Sequence, residues 1–212
     1  MRILYMDCFL GFDAEMLLGA LIDAGAVADK IEDSLSQDGI KVSVIVQNTI
    51  RSSILCKKAT VITDLKTEQK LLENNIVKSI SEKYNFSKGT TPASIMAVIY
   101  AAEQLGIEYI ISSEISLAEN TDGRVLEVLE SGNIATCPAD GSTKETEPAD
   151  AAFLVQLSNE SGPKPPMEII YIGYGAGGDN ADNPDIISAI IGEFESDNLF
   201  SYEESEDLVA YL

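Results

Sequence analysis

An α+β fold built on a mixed β-sheet is predicted from three features of this 212-residue sequence. Strand-like runs occur in pairs separated by short turns, as in 40–63. Others alternate with amphipathic helical segments, as in 1–25. Helix starts and stops are marked in the sequence, as at Thr91-Pro92 and Gly106. Strands in hairpins as well as in β-α-β units call for helices packed on a mixed sheet, and argue against a doubly wound one.

The first 25 residues organise the rest. Arg2–Met6 is a short β-prone run, and Asp7 to Phe12 is a turn. Asp13 is placed to cap a helix whose Leu17, Ala20, Leu21 and Ala24 share one face, and Gly25 ends it. Asp7 thus stands at the carboxyl end of a strand, with Asp13 and Glu15 across the loop at a helix start. Such junctions build sites in α/β-type proteins. The alternative is that Asp13 and Glu15 only complement the helix dipole.

Val27, Ile31 and Leu35 recur at helical spacing before Gly39. Ile40, Val42, Val44 and Val46 alternate with polar residues, and Ala59–Thr63 is the expected hairpin partner across a loop at Arg51-Ser52-Ser53. Leu72, Ile76 and Ile80 predict one helix within Thr67–Tyr84. Thr91 followed by Pro92 is a strong helix start, with Ile95, Val98, Ile99, Ala102 and Leu105 as the buried stripe and Gly106 as the stop. Ile107–Leu117 is β-prone. A short helix is expected from Asp122 to Gly132, a polar loop over Pro138–Pro148, and a helix over Ala149–Leu157. Ser161–Pro166 reads as a stiff connector. Met167–Tyr174 and Asp185–Gly192 read as strands. Residues 1–193 are expected to form the domain, with 85–92 the place where two subdomains could part, and 194–212 an acidic tail or linker.

Composition narrows the function. Fourteen Lys and Arg against 35 Asp and Glu give a net charge of −21, which repels nucleic acid and anionic membranes. No apolar run approaches the roughly 20 residues of a membrane span. Cys8, Cys56 and Cys137 are far apart and odd in number, as expected of free thiols in a cytoplasmic protein. There is no histidine, which removes the commonest general base and transition-metal ligand. Asp7, Asp13 and Glu15 would suit a hard cation such as magnesium or manganese. Nickel or zinc would find only Cys8 nearby. Around Gly173, Gly175 and Gly177 a phosphate-binding loop competes with a structural turn. The turn is favoured, because the loop joins two strands and carries Asp179 and Asp182 with no Lys or Arg. Arg51 with Lys57-Lys58 reads as surface.

Several blocks carry a family resemblance. Asp7, Gly11 and Met16 fit the N-terminal signature of the nickel-pincer cofactor nickel insertion proteins, the LarC family, with Asp13-Ala14-Glu15 replacing its Ser-Gly-Asp. Leu105-Gly106-Ile107-Glu108, the Ala151-Ala152 helix, Gly162–Met167 and Ile172–Gly177 followed by Asn183-Pro184 are similar in order and spacing. The family's His-rich segment is missing. Its His-Glu-Val-Gly motif falls on Tyr84–Ser87, its following aspartate on Thr90, and its Pro-Thr-Gly-Ala block on Pro148–Ala151. The resemblance implies nickel delivery into a pyridinium bis-thiocarboxylate mononucleotide using CTP, here by a diverged N-terminal portion. It implies Asp7 as the retained carboxylate, Glu15 as substitute for the family aspartate, Cys8 as a soft ligand, and a separately encoded C-terminal half as partner. Lacking the histidines, the chain alone is expected to be inactive. The competing expectation is a non-catalytic module that binds a partner or a nucleotide.

Overall fold

The computed structural model describes residues 1–139, 145–178 and 185–194. Its centre is a seven-stranded sheet that is mixed, as expected. In sheet order the strands are β2 (Val42–Arg51), β3 (Ile54–Thr63), β8 (Glu168–Ala176), β9 (Ile186–Glu193), β1 (Arg2–Asp7), β4 (Tyr109–Ser112) and β7 (Glu160–Ser161). The pairs β1–β4, β4–β7 and β3–β8 are parallel, and β2–β3, β8–β9 and β1–β9 are antiparallel. A separate parallel pair joins β5 (Ile115–Leu117) to β6 (Thr136–Pro138).

Strand alternation sorts side chains between two unlike faces. Leu4 and Met6 of β1, Val44 of β2, Ala59 of β3 and Ile187, Ala189 and Ile191 of β9 enter one core with the helices. These helices are α1 (Ala14–Asp23), α2 (Ala28–Gln37), α3 (Leu65–Leu71), α4 (Asn75–Ser81), α5 (Pro92–Gln104), α6 (Gly123–Ser131) and α7 (Pro148–Leu157). That core draws residues from both sides of 85–92. The other face carries two small clusters with no helical residue. One joins Ile3 and Ile111 to Phe194, and the other joins Cys56, Ala176 and Ile186.

Helix α1 lies very close to the sheet, and glycine is what permits it. A Cβ on Gly175 would run into the Met16 carbonyl, and one on Gly173 into the carbonyl of Ala20 and the amide of Ala24. Both residues lie inside β8, not in a loop as the sequence suggested. Neither has positive φ, unlike Gly25 and Gly178. Their small size, not a turn conformation, is what the fold uses.

Local signals set most boundaries. Asp13 accepts the Met16 N–H at 2.7 Å, and Thr91 with Ser94 forms a reciprocal capping box before Pro92. The single helix expected over Thr67–Tyr84 is two, α3 (Leu65–Leu71) and α4 (Asn75–Ser81). Asn74 caps the second by accepting from Ile76 and Val77, and competes with continuation of the first. The β-prone stretch Ile107–Leu117 likewise divides between the two sheets at Ser113-Glu114. The β2–β3 hairpin runs longer than expected, because Ser52 and Ser53 both take positive φ in a two-residue turn. Glu193 belongs to β9, and Phe194 packs on the sheet. The remainder of the acidic tail, and Asp179, Asp182 and Asn183-Pro184, lie outside the described residues.

Candidate functional site

A cleft of about 690 Å³ opens on the sheet face opposite the main core, at the carboxyl ends of the parallel strands β1 and β4. Asp7 and Glu114 come from those two strand ends. Tyr5, Phe9 and Tyr174 form aromatic walls, and Ile54 at the hairpin tip and Ser188 complete it. Ser113 holds the two strand ends in register. Its N–H donates to the Met6 carbonyl at 2.8 Å, and its Oγ accepts the Cys8 N–H at 2.8 Å. The Asp7 carboxylate accepts the Phe9 N–H at 3.3 Å and is otherwise exposed. Among the described residues, no lysine or arginine lines the cleft.

The negative charge is felt by its neighbours. Burial, and then Asp7, Cys8 and Glu114, raise the Tyr5 phenol above its ordinary range, partly opposed by a hydrogen bond from Ser113. Cys137 is raised by burial and by Glu114. A cleft walled by aromatic rings and carrying two carboxylates favours cations, through both charge and ring faces. It disfavours a phosphate.

The three residues expected to share a metal do not converge. Asp7 faces the cleft. Cys8 points the other way, fully buried in the main core, where burial and then Asp7 hold its thiol far above the usual range. Glu15 lies on the helix side. Its Oε1 accepts the Val61 N–H at 2.7 Å, and its own N–H donates to the Gly89 carbonyl. Strand β3 meets β8 at only one register position, Lys57 to Gly175. Glu15 therefore satisfies a strand N–H that a neighbouring strand would otherwise take. Burial pushes its carboxyl up to about 7. Asp13 adds to the rise, while the Val61 hydrogen bond, Lys58 and Lys88 oppose it. Among the described residues no group of three or more Cys, Asp or Glu is arranged to hold a metal ion.

A second polar assembly is buried beneath α1. Thr90 Oγ1 accepts the Ala14 N–H, the Thr90 N–H donates to Ser87 Oγ, and Ser87 Oγ donates to Asp150 Oδ1 at 2.5 Å. Thr90 and Asp150 are fully buried. The chain thus folds 84–90 and 148–151 against the start of α1, and in this sequence they meet through hydroxyls. Arg51, expected at the surface, is 3% exposed, and its Nη2 donates to the Gly177 carbonyl at 3.3 Å. Lys58 donates to the Gly178 carbonyl at 2.6 Å. These cations hold the end of β8. Glu114, Tyr5 and Tyr174 were missed from sequence. The signal that could have found Glu114 was its place just past a strand parallel to β1.

A family model described as nickel insertion protein matches residues 4–104 and 88–209. The chain is 28% identical over 249 residues to the pyridinium-3,5-bisthiocarboxylic acid mononucleotide nickel insertion protein of Geobacillus kaustophilus, covering 91% of this chain and 60% of that protein. The proteins of the same name from Staphylococcus epidermidis and Acetivibrio thermocellus are 28% and 25% identical, over 98% and 91% of this chain. The chain spans about 60% of the length of these relatives. The 249 aligned positions exceed its 212 residues, so the Geobacillus relative carries segments this chain lacks. No solved structure matches it.

Proposed function

The chain belongs to the nickel insertion protein family, and on that footing we propose that it receives nickel as cargo at the Asp7–Glu114 cleft for insertion into a pyridinium-3,5-bisthiocarboxylic acid mononucleotide. The observation that carries this reading is the lining of that cleft, which among the described residues has two carboxylates and no basic side chain. Nickel is the positively charged partner of the reaction named for the relatives. The mononucleotide carries phosphate and thiocarboxylate groups, which the same carboxylates repel.

The work is therefore divided. This chain holds the cation loosely on oxygen ligands, which bind nickel less firmly than imidazole or thiolate do. The mononucleotide and CTP are held by the remaining length that the relatives possess. Loose holding suits transfer, because a cation bound too firmly would not leave for the thiocarboxylate sulfurs. Magnesium or manganese would compete for the same oxygens. The test supplies the remaining part of the Geobacillus protein in trans, with CTP, mononucleotide and nickel, and measures metallated product. The proposal expects product to depend on both chains and to fall about tenfold or more in Asp7→Asn, the loss of one charge-assisted contact. Equal product from the Geobacillus part alone contradicts it.

The buried Ser87–Thr90–Asp150 assembly favours one alternative, a binding module that keeps the fold without the chemistry. The Ser87 hydroxyl is engaged inside the molecule by the Asp150 carboxylate and the Thr90 amide, and Thr90 Oγ1 by the Ala14 amide, so these groups serve the fold. In that case this chain binds the Geobacillus part without raising its product.

A further inference from the structure

Strand β2 is one of the two edges of the large sheet, and β7, two residues long, is the other. In the antiparallel ladder with β3, the pair Val44–Val61 is not hydrogen-bonded to itself. Val44 donates to Glu32 of α2 at 2.6 Å, and Val61 donates to Glu15. By alternation, the N–H and C=O groups of Val46, Asn48 and Ile50 also point away from β3. Helix α2 thus closes the start of this edge, and among the described residues no strand pairs with 46–50 on its outer side. Natural edges of this length are usually guarded by a lysine, a proline or a bulge. Residues 42–50 contain neither lysine nor proline, and their pairing with β3 is regular throughout. Exposed apolar side chains flank the edge, with Ile50 62% and Leu55 63% exposed.

Charge separates this hairpin from the rest of the molecule. Between Asp38 and Asp64 there is no acidic residue, although the chain holds 35. The same stretch holds Lys41, Arg51, Lys57 and Lys58, of the chain's 14 cations. A long, uncharged edge on an acid-free hairpin that carries several cations, in a −21 chain, complements an acidic, extended polypeptide.

We infer that the β2 edge at 46–50 is a docking site for an extended acidic segment of a partner chain. The segment adds beside β2 as a further strand. Its main chain pairs with Val46, Asn48 and Ile50, its apolar side chains meet Ile50 and Leu55, and its carboxylates face the hairpin lysines. Single-stranded nucleic acid is the other polyanion such an element could take, but the net charge of the molecule opposes it.

The experiment titrates the full chain with a labelled peptide of residues 195–212, a stretch with six carboxylates, no Lys or Arg, and interspersed Leu, Phe and Tyr. Anisotropy reports binding, and hydrogen exchange reports the β2 amides. The expected result is saturable binding that weakens about tenfold between roughly 50 and 300 mM salt. The amides of Val46, Asn48 and Ile50 become protected. Ile50→Glu, at an exposed position, and Asn48→Pro, which removes an outward N–H, each abolish binding, with the Ile50→Glu melting curve unchanged. Binding unaffected by Ile50→Glu overturns the proposal, as does tighter binding of an oligonucleotide of equal charge. Binding only to a chain ended after Phe194 also overturns it, since the occupant is then the chain's own 195–212.

Discussion

Glu15 shows how far one residue's role can depend on distant sequence. Its carboxylate meets Val61, 46 positions away. Position alone places it at a helix start, where it also suits the dipole, and nothing in 1–25 announces the strand it serves. Asp13, by contrast, was legible, because its cap is made three residues along the same chain. The raised Glu15 pKa has a definite sign. The folded chain holds this proton up to about pH 7, whereas the unfolded chain releases it near the ordinary value of 4.5. The folded state therefore binds more protons in that window, and the Glu15 contribution to stability declines as pH rises through it. Glu15→Gln keeps an oxygen for Val61 and removes the titration. It should raise the pH 8 melting midpoint by roughly 2–4 °C per kcal/mol recovered, with little change at pH 4. A larger gain at pH 4 than at pH 8 would contradict the assignment.

The glycines in and just after β8 separate by what they touch. Alanine at Gly175 meets the α1 backbone, which cannot yield, and should destabilise the fold by about 2 kcal/mol or more. Alanine at Gly177 meets the flexible Met16 side chain and should cost clearly less. Equal losses in urea denaturation would remove close helix packing as the reason for glycine here. Spacing in the sequence marked these residues but suggested a turn. A requirement for small size and one for positive φ both select glycine, and only the neighbour distinguishes them.

At the scale of elements, strong local signals read correctly and weak ones merged. Thr91-Pro92, Gly39 and the Asp122–Gly132 helix were legible, since caps and stops act within a few residues. Asn74 was overlooked because apolar residues continued at helical spacing on both sides of it. Asn74→Ala should cost about 1 kcal/mol, a typical capping loss, and leave β1 and the cleft unaltered. No measurable loss would mean that α3 and α4 are separated by packing alone. The strands β4 and β5 looked continuous because both are β-prone. Their split is set by Ser113, which pairs with the end of β1, a contact 105 residues apart that local pattern does not hold.

At the scale of the molecule, sequence pattern found the mixed sheet, but not which side of it each candidate residue takes. Asp7 and Cys8 are neighbours in sequence and point to opposite faces of a strand, so they cannot share an ion. The carboxylate that lines the same cleft as Asp7 is Glu114, which lies just past the parallel neighbour strand β4. A chain this acidic attracts cations everywhere, so site binding must be distinguished from surface condensation. Nickel is paramagnetic and broadens nearby amide resonances, which makes its position directly readable in a ¹H–¹⁵N titration of the full chain. The account predicts broadening centred on Tyr5–Leu10 and Ser113-Glu114 at low nickel, lost in an Asp7→Asn, Glu114→Gln double variant and removed by dialysis. Broadening spread evenly over the acidic helices, or nickel held stoichiometrically after dialysis away from this cleft, would contradict it.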